Sequence, residues 1–147
     1  MRRLALSGTT LAAIALALTA CGGGSSATSE PESFADASLA DTGYAVTTIT
    51  VDGAQREVFP PVEITFTADS INVATPCNGM SGPVTYSETT LMVGALAQTK
   101  MACEAALMEQ DQVIADALAA NPTWQVVDGN LTLTGAGTVI VAGATTP

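Results

Sequence analysis

The side chains with the most chemical potential in this chain are three cysteines, Cys21, Cys77 and Cys103. Thiols serve proteins as nucleophiles, metal ligands, acylation sites or disulfide partners. A nucleophile needs a base, but the chain contains no histidine, and its only lysine, Lys100, has no serine three residues before it. The carboxylates form no compact signature either. We therefore expect no catalytic residue and no enzymatic activity.

Cys21 stands at the end of an N-terminal targeting segment. Arg2 and Arg3 precede an apolar run of about 17 residues that ends in residues 18–21 (LTAC). This order of charged, apolar and small residues is typical of a secretory signal, and the run is at the short limit for spanning a bilayer. Its end resembles the lipobox of bacterial lipoproteins. That resemblance implies that residues 1–20 are a cleaved signal peptide and that Cys21 is the acylated first residue of the mature protein.

Residues 21–41 are predicted to be a flexible tether. They are mostly glycine, serine, alanine, threonine and acidic residues, without the apolar periodicity that a packed element needs. A flexible chain of about 20 residues reaches roughly 25 Å. We expect an extracytoplasmic protein that is anchored to the membrane through Cys21 and does not span it. The scarcity of lysine suggests a high-GC bacterium, and in a Gram-positive cell the anchor would lie on the outer face of the cytoplasmic membrane.

The charge of the chain argues against a nucleic-acid partner. Fourteen acidic and four basic residues give a formal net charge of −10 at pH 7. When Arg2 and Arg3 leave with the signal, fourteen acidic residues face two basic ones, or about −12. Phosphate backbones and anionic lipid surfaces repel such a surface.

Residues 42–147 are predicted to form one domain of antiparallel hairpins. Short apolar runs alternate with turn residues, and Asp52-Gly53 and Asp128-Gly129 are strong hairpin signals. The candidate strands are residues 44–51, 55–59, 62–67, 71–75, 83–87, 90–94, 123–127, 131–134 and 138–142. The pattern predicts an α+β, mainly β fold of about 7 to 9 short strands, with barrel-like closure as one option.

Residues 104–120 are predicted to be the single helix that covers this sheet. They contain no glycine or proline, and they stop just before Asn121-Pro122. Leu107, Ile114 and Leu118 fall on one side at helical spacing, together with Ala117, and should pack into the core. Asp111 projects close to this apolar stripe, so it should either lie at its rim or hydrogen-bond to a neighbouring loop.

Three blocks of sequence carry a family resemblance. They are residues 77–82 (CNGMSG), 91–103 (LMVGALAQTKMAC) and 108–111 (MEQD). In this order and spacing they resemble the META domain of HslJ-like heat-shock proteins. The resemblance covers most of residues 77–142, about half of the chain, and three ordered blocks are a more specific signal than one short motif.

Cys77 and Cys103 are expected to form a disulfide, because of this resemblance and because exported thiols meet an oxidising environment. A zinc site is disfavoured, since only two thiols remain after acylation of Cys21 and there is no histidine. No cofactor is expected. In the chain-entropy model such a disulfide stabilises the fold by roughly 3 to 4 kcal/mol.

If the domain has a contact site, we expect it in the loops beside the two cysteines. Its candidate residues are Asn78, Gly79, Ser81, Gly82, Thr99, Lys100 and Met101. The alternative is structural: Asn78 caps a turn through its side chain, Lys100 balances local carboxylates and Met101 packs in the core. The Gly-x-x-Gly pattern at residues 79–82 is explained by a turn.

Two functions fit these features. The first is a lipid-anchored, non-enzymatic envelope protein that acts in stress tolerance or envelope maintenance through contacts with an envelope protein. This is what the resemblance implies, since META-type proteins are linked to heat shock and stress. The second is an anchored β-domain that inhibits a secreted hydrolase or binds a small apolar ligand.

Overall fold

The computed structural model describes residues 39–145 of the chain. This part forms ten strands and one helix. In chain order they are β1 (Thr42–Val51), β2 (Ala54–Arg56), β3 (Glu63–Phe66), β4 (Ser70–Ala74), β5 (Gly79–Tyr86), β6 (Leu91–Val93), β7 (Ala97–Gln98), α1 (Ala105–Ala119), β8 (Thr123–Val127), β9 (Asn130–Gly135) and β10 (Thr138–Ala144). The predicted signal peptide and residues 21–38 of the tether lie outside the described residues.

The strands form one antiparallel sheet that curls into a nearly closed barrel. The strand order is β6-β5-β4-β3-β1-β10-β9-β8, with β2 beside β1 and β7 beside β5. The two end strands meet, because the Leu91 amide donates to the Pro122 carbonyl and the Trp124 amide donates to the Thr89 carbonyl, both at 2.9 Å. The predicted α+β, mainly β fold with barrel-like closure is confirmed.

The inside of the barrel is filled by side chains. In the longer strands alternate residues point inward, as the period of two requires, whereas the three residues of β2 are all exposed. The largest fully buried side chains come from the strands, from α1 and from the segments before β1 and β3; they are Phe66, Leu39, Ile49, Ile64, Ile71, Leu91, Ile114, Leu118, Leu131, Leu133, Ile140 and Val62. Leu39, which falls within the predicted tether, is only 1% exposed and belongs to the core cluster.

Helix α1 lies across one end of the barrel. Ile114, Ala117 and Leu118 are buried and Leu107 is half-buried, so the predicted apolar stripe does face the core. The helix approaches β9 closely, since a Cβ at Gly135 would lie 2.6 Å from the carbonyl oxygen of Ala117. Among the described residues, no helix has the length and apolar character needed to cross a membrane.

Two local predictions are wrong. The turn predicted at residues 79–82 is the first half of β5, where Gly79 pairs with Ala74 of β4. The strand predicted at residues 55–59 ends at Arg56. The backbone of Phe59 is paired with a helix side chain instead of a strand: Gln110 Oε1 accepts from the Phe59 amide at 2.7 Å, and Gln110 Nε2 donates to the Phe59 carbonyl at 3.1 Å.

Candidate functional site

The structure pairs Cys77 with Cys103 in a disulfide, as predicted. The two Cα atoms are 6.0 Å apart, within the usual range for this bond. Cys77 is 5% exposed and lies between β4 and β5, whereas Cys103 is half-buried and comes just before α1. The bond therefore fastens the beginning of the helix to the barrel wall at the barrel end that the helix covers.

Asn78 is the centre of a polar cluster that consists of the buried Asn78 and Asp111, the half-buried Thr75 and the exposed Thr99. Its Nδ2 donates to Asp111 Oδ2 at 2.8 Å, and its Oδ1 accepts from the Thr99 hydroxyl at 3.0 Å and from the Met101 amide at 2.8 Å. Only 7% of Asn78 is exposed. Asn78 is therefore a structural connector between three chain segments, and it offers little surface to a partner.

Asp111 holds the helix to this polar cluster. It is 2% exposed, and its Oδ1 accepts from the Thr75 hydroxyl at 2.6 Å. Of the two positions that the sequence left open for Asp111, the hydrogen bond to a neighbouring loop is the one observed. Thr75 was missed by sequence reasoning, although a carboxylate on an apolar helix stripe signals that donors must lie nearby.

Three of the predicted contact residues line a shallow hollow on the outer surface of the sheet. This concave face has a volume of about 470 Å³. It is formed by Glu63, Thr65, Asn72, Val73, Ala74, Gly79, Met80, Ser81, Ala97, Gln98 and Thr99. Gly79 and Ser81 project outward from β5, and Thr99 follows β7, so the structure brings these contact residues to one surface.

Lys100 and Met101 lie just beyond this concave face. Met101 is 64% exposed, so the prediction that it packs in the core is wrong. Its amide is held by Asn78 while its side chain is presented to solvent. Lys100 is also exposed, and within residues 39–145 it has no carboxylate oxygen within 4.0 Å of its ammonium group.

Gly82 has a different role from the other contact candidates. A Cβ at Gly82 would lie 2.9 Å from the carbonyl oxygen of Ala95, and one at Gly94 would lie 2.7 Å from Pro83 Cγ. Both glycines thus let the segment between β6 and β7 cross β5 at close range. The structure explains Gly82 by this crossing, without a partner.

A second recess, which sequence reasoning missed, lies between α1 and β2. This helix groove has a volume of about 210 Å³ and is lined by Ile49, Arg56, Glu57, Phe59, Ala106, Glu109, Gln110 and Val113. Its wall is fixed by the paired hydrogen bonds between Gln110 and the Phe59 backbone. The two sides are about fifty residues apart in the chain, so no local pattern could have indicated the groove.

Tyr86 is a titratable residue whose environment is perturbed by burial and by nearby carboxylates. Its hydroxyl donates to the Thr67 carbonyl in the turn between β3 and β4, at the barrel end away from α1. Burial raises the pKa of Tyr86 above its usual value of 10.0, and the nearby carboxylates of Asp41 and Asp69 raise it further. Among the described residues there is no group of three acidic or cysteine side chains that could hold a metal ion.

The chain is similar in sequence and in fold to known proteins. The sequence model of the META domain matches residues 37–146. An NMR structure of a protein from Burkholderia xenovorans is similar in fold, with 20% identity, a TM-score of 0.63 and coverage of 74% of this chain and 85% of that one. A second NMR structure has 25% identity and a TM-score of 0.58, covering 70% of this chain and 88% of the other. No curated protein sequence matches the chain significantly.

Proposed function

The chain belongs to the META domain family, and from this premise we propose that it is a lipid-anchored, non-enzymatic protein of the bacterial cell envelope that acts through protein contacts. The proposal has two parts, an anchor at Cys21 and a contact surface on the folded domain. Stress tolerance or envelope maintenance is the process in which these contacts would serve.

The anchor is supported by the lipobox-like residues 18–21 and by the compartment that a disulfide requires. Thiols of cytosolic proteins are kept reduced, so the Cys77–Cys103 pair fits a protein that has been exported. The diacylglyceryl group that the lipobox resemblance implies carries two acyl chains, and two chains anchor a domain stably without a membrane-spanning helix.

Metabolic labelling with an alkyne fatty acid tests the anchor. The wild-type protein should carry the label and sediment with membranes, and the Cys21→Ser protein should lose both properties. The matched control replaces both Cys77 and Cys103 by serine, and it should keep the label. An anchor at Cys21 is wrong if the Cys21→Ser protein remains labelled.

The contact proposal rests on the shape and lining of the concave face. Its centre is lined by small side chains, Ala74, Gly79 and Ser81, which leave the strands accessible to the backbone of a partner. Its margin at Thr99 is held by Asn78 and by the disulfide. A surface that is rigid before binding loses less conformational entropy when a partner docks.

Cross-linking in whole cells, followed by purification of the anchored protein, tests this surface. Ser81→Arg places a long charged side chain in the middle of the concave face and should abolish the recovered complex. Thr134→Arg is the matched control, because Thr134 is exposed on β9, on another part of the barrel. If both variants recover the same partner as the wild type, the concave face is not the contact surface.

A strain that lacks the gene tests whether the concave face serves in stress tolerance or envelope maintenance. It should survive heat or detergent stress less well than its parent, and the wild-type gene should restore survival while the Ser81→Arg gene should not. A tight complex with a secreted hydrolase that becomes inactive, or an apolar ligand seen by native mass spectrometry, would instead support the alternative of an inhibitor or a carrier.

A further inference from the structure

The helix groove combines an apolar floor with room for a small ring. Ile49 is 2% exposed and forms part of the floor, together with Phe59 and Val113. A cavity of about 150 Å³ is large enough to bind benzene. At about 210 Å³, the helix groove can therefore hold one aromatic ring with a short chain attached.

The rim of the helix groove carries an excess of negative charge. Glu57, Glu109 and Arg56 line it, and Arg56 Nη1 is already paired with Glu109 Oε1 at 3.6 Å. Within residues 39–145, Glu57 has no such ion pair. Because the net charge of the chain is −10, the surrounding field also attracts cations and repels anions.

The remaining polar side chain of the helix groove is not available to a ligand. Gln110 is 6% exposed, and both ends of its amide are engaged with the Phe59 backbone. The polar recognition that the groove offers therefore comes from the charged side chains at its rim, which are two carboxylates and the Arg56 guanidinium that is paired with Glu109. An apolar floor beneath a net negative rim is complementary to a ligand with an apolar body and one positive charge.

We propose that the helix groove binds a small organic cation, whose ring lies on the floor formed by Ile49, Phe59 and Val113 and whose ammonium group lies between Glu57 and Glu109. This site is separate from the concave face, so the proposal is independent of the envelope contacts described above.

NMR titration of the Cys21→Ser chain, beginning at residue 21, tests the proposal with three matched probes. They are phenethylammonium, 2-phenylethanol and 3-phenylpropionate, which share a ring but differ in charge. Phenethylammonium should shift the amide signals of Ala106 and Val113 saturably, with a Kd of about 1 mM, as expected for a ligand of this size. The neutral alcohol should bind about fivefold more weakly, since an exposed ion pair contributes no more than that. The acid should bind more weakly still.

Variants separate the helix groove from the rest of the surface. Glu57→Gln and Glu109→Gln should each weaken phenethylammonium binding by about twofold, because together they account for the fivefold difference between the cation and the alcohol. Ala106→Phe should abolish binding because the larger ring occupies the groove. Glu88→Gln, in the exposed connection between β5 and β6, is the control and should change nothing. The proposal is overturned if the alcohol or the acid binds as tightly as the cation, if no saturable shift occurs, or if Ala106→Phe binds normally.

Discussion

Replacing Asp111 by alanine should destabilise the domain strongly, because Asp111 is the buried acceptor that joins the helix to the barrel. The change removes the hydrogen bonds from Asn78 Nδ2, at 2.8 Å, and from the Thr75 hydroxyl, at 2.6 Å. The Thr75 hydroxyl can donate instead to the backbone carbonyl of Asn78, which is 2.8 Å away. The side-chain Nδ2 of Asn78, in contrast, keeps only the weak acceptor Cys77 Sγ. One buried donor is then left nearly unpaired.

The expected loss follows from these contacts. A hydrogen bond to a charged group and an unpaired buried donor together correspond to about 3 kcal/mol, after some relief from no longer burying a charge. With an m-value of about 1.5 kcal/mol/M for a domain of this size, the urea midpoint should fall by about 2 M. Urea unfolding of the Cys21→Ser chain, followed by circular dichroism, measures this shift.

Two further variants decide whether the hydrogen bonds are responsible. Asp116→Ala removes an exposed carboxylate of the same helix, which bonds only to Gln112 at 2.7 Å, so its midpoint should hardly move. Asp111→Asn can still accept from Asn78 Nδ2, but Thr75 Oγ1 already accepts from the amides of Cys77 and Asn78, so this variant should lose about 1 to 2 kcal/mol. The reasoning is refuted if Asp111→Ala is as stable as Asp116→Ala, or if Asp111→Asn is as unstable as Asp111→Ala.

Three other outcomes are expected. Replacing both Cys77 and Cys103 by alanine should lower the free energy of unfolding by about 3.5 kcal/mol in the chain-entropy model, and a reductant should no longer affect the urea midpoint; an unchanged midpoint would contradict a structural disulfide. Gly82→Ala should cost about 1 to 3 kcal/mol, because its Cβ would press on a backbone oxygen at 2.9 Å, whereas at Gly79 the nearest atom is 3.9 Å away and the same change should cost far less. Since the pKa of Tyr86 is raised in the folded protein, its contribution to stability is present below pH 10.0 and is lost as the pH rises through the folded pKa. Tyr86→Phe should therefore flatten the decline of stability in alkaline urea titrations, and an equally steep decline would contradict the raised pKa.

The proposed envelope contact and the proposed cation site lie on different surfaces of the same domain. The concave face is a property of the outer side of β3, β4, β5 and β7, whereas the helix groove depends on where α1 meets β2. Ser81→Arg and Ala106→Phe therefore test the two surfaces separately. Loss of one function without the other would assign each to its own surface.

Much of the fold could be read from local patterns. Alternating apolar residues predicted most strands, and the Asp-Gly pairs predicted two hairpin turns, at Asp52 and Asp128, which have positive φ values in the structure. The helix at residues 104–120 was predicted almost to its ends. These features depend on neighbours in the chain, and so the sequence carries them directly.

The predictions at residues 79–82 and at Met101 were wrong for a related reason. A glycine-rich segment indicates a turn unless another strand pairs with it, and β4 does so here. Met101 is apolar and was expected in the core, but its side chain is exposed and its amide donates to Asn78, 23 residues away. In both places the backbone makes a contact with a residue distant in sequence.

By itself, the sequence determined the chemistry that this protein has at hand: three thiols, no imidazole, a strong negative charge, a signal-like N-terminus and the pattern of a META domain. The tertiary structure alone decided which of these groups meet. It buried Asn78 against Asp111, turned Gly79 and Ser81 to the outer surface of the sheet and formed the helix groove from residues about fifty positions apart. The physical reason is that propensity and periodicity act over a few residues, whereas closure of the barrel and packing of α1 across its end bring together groups that no local pattern connects.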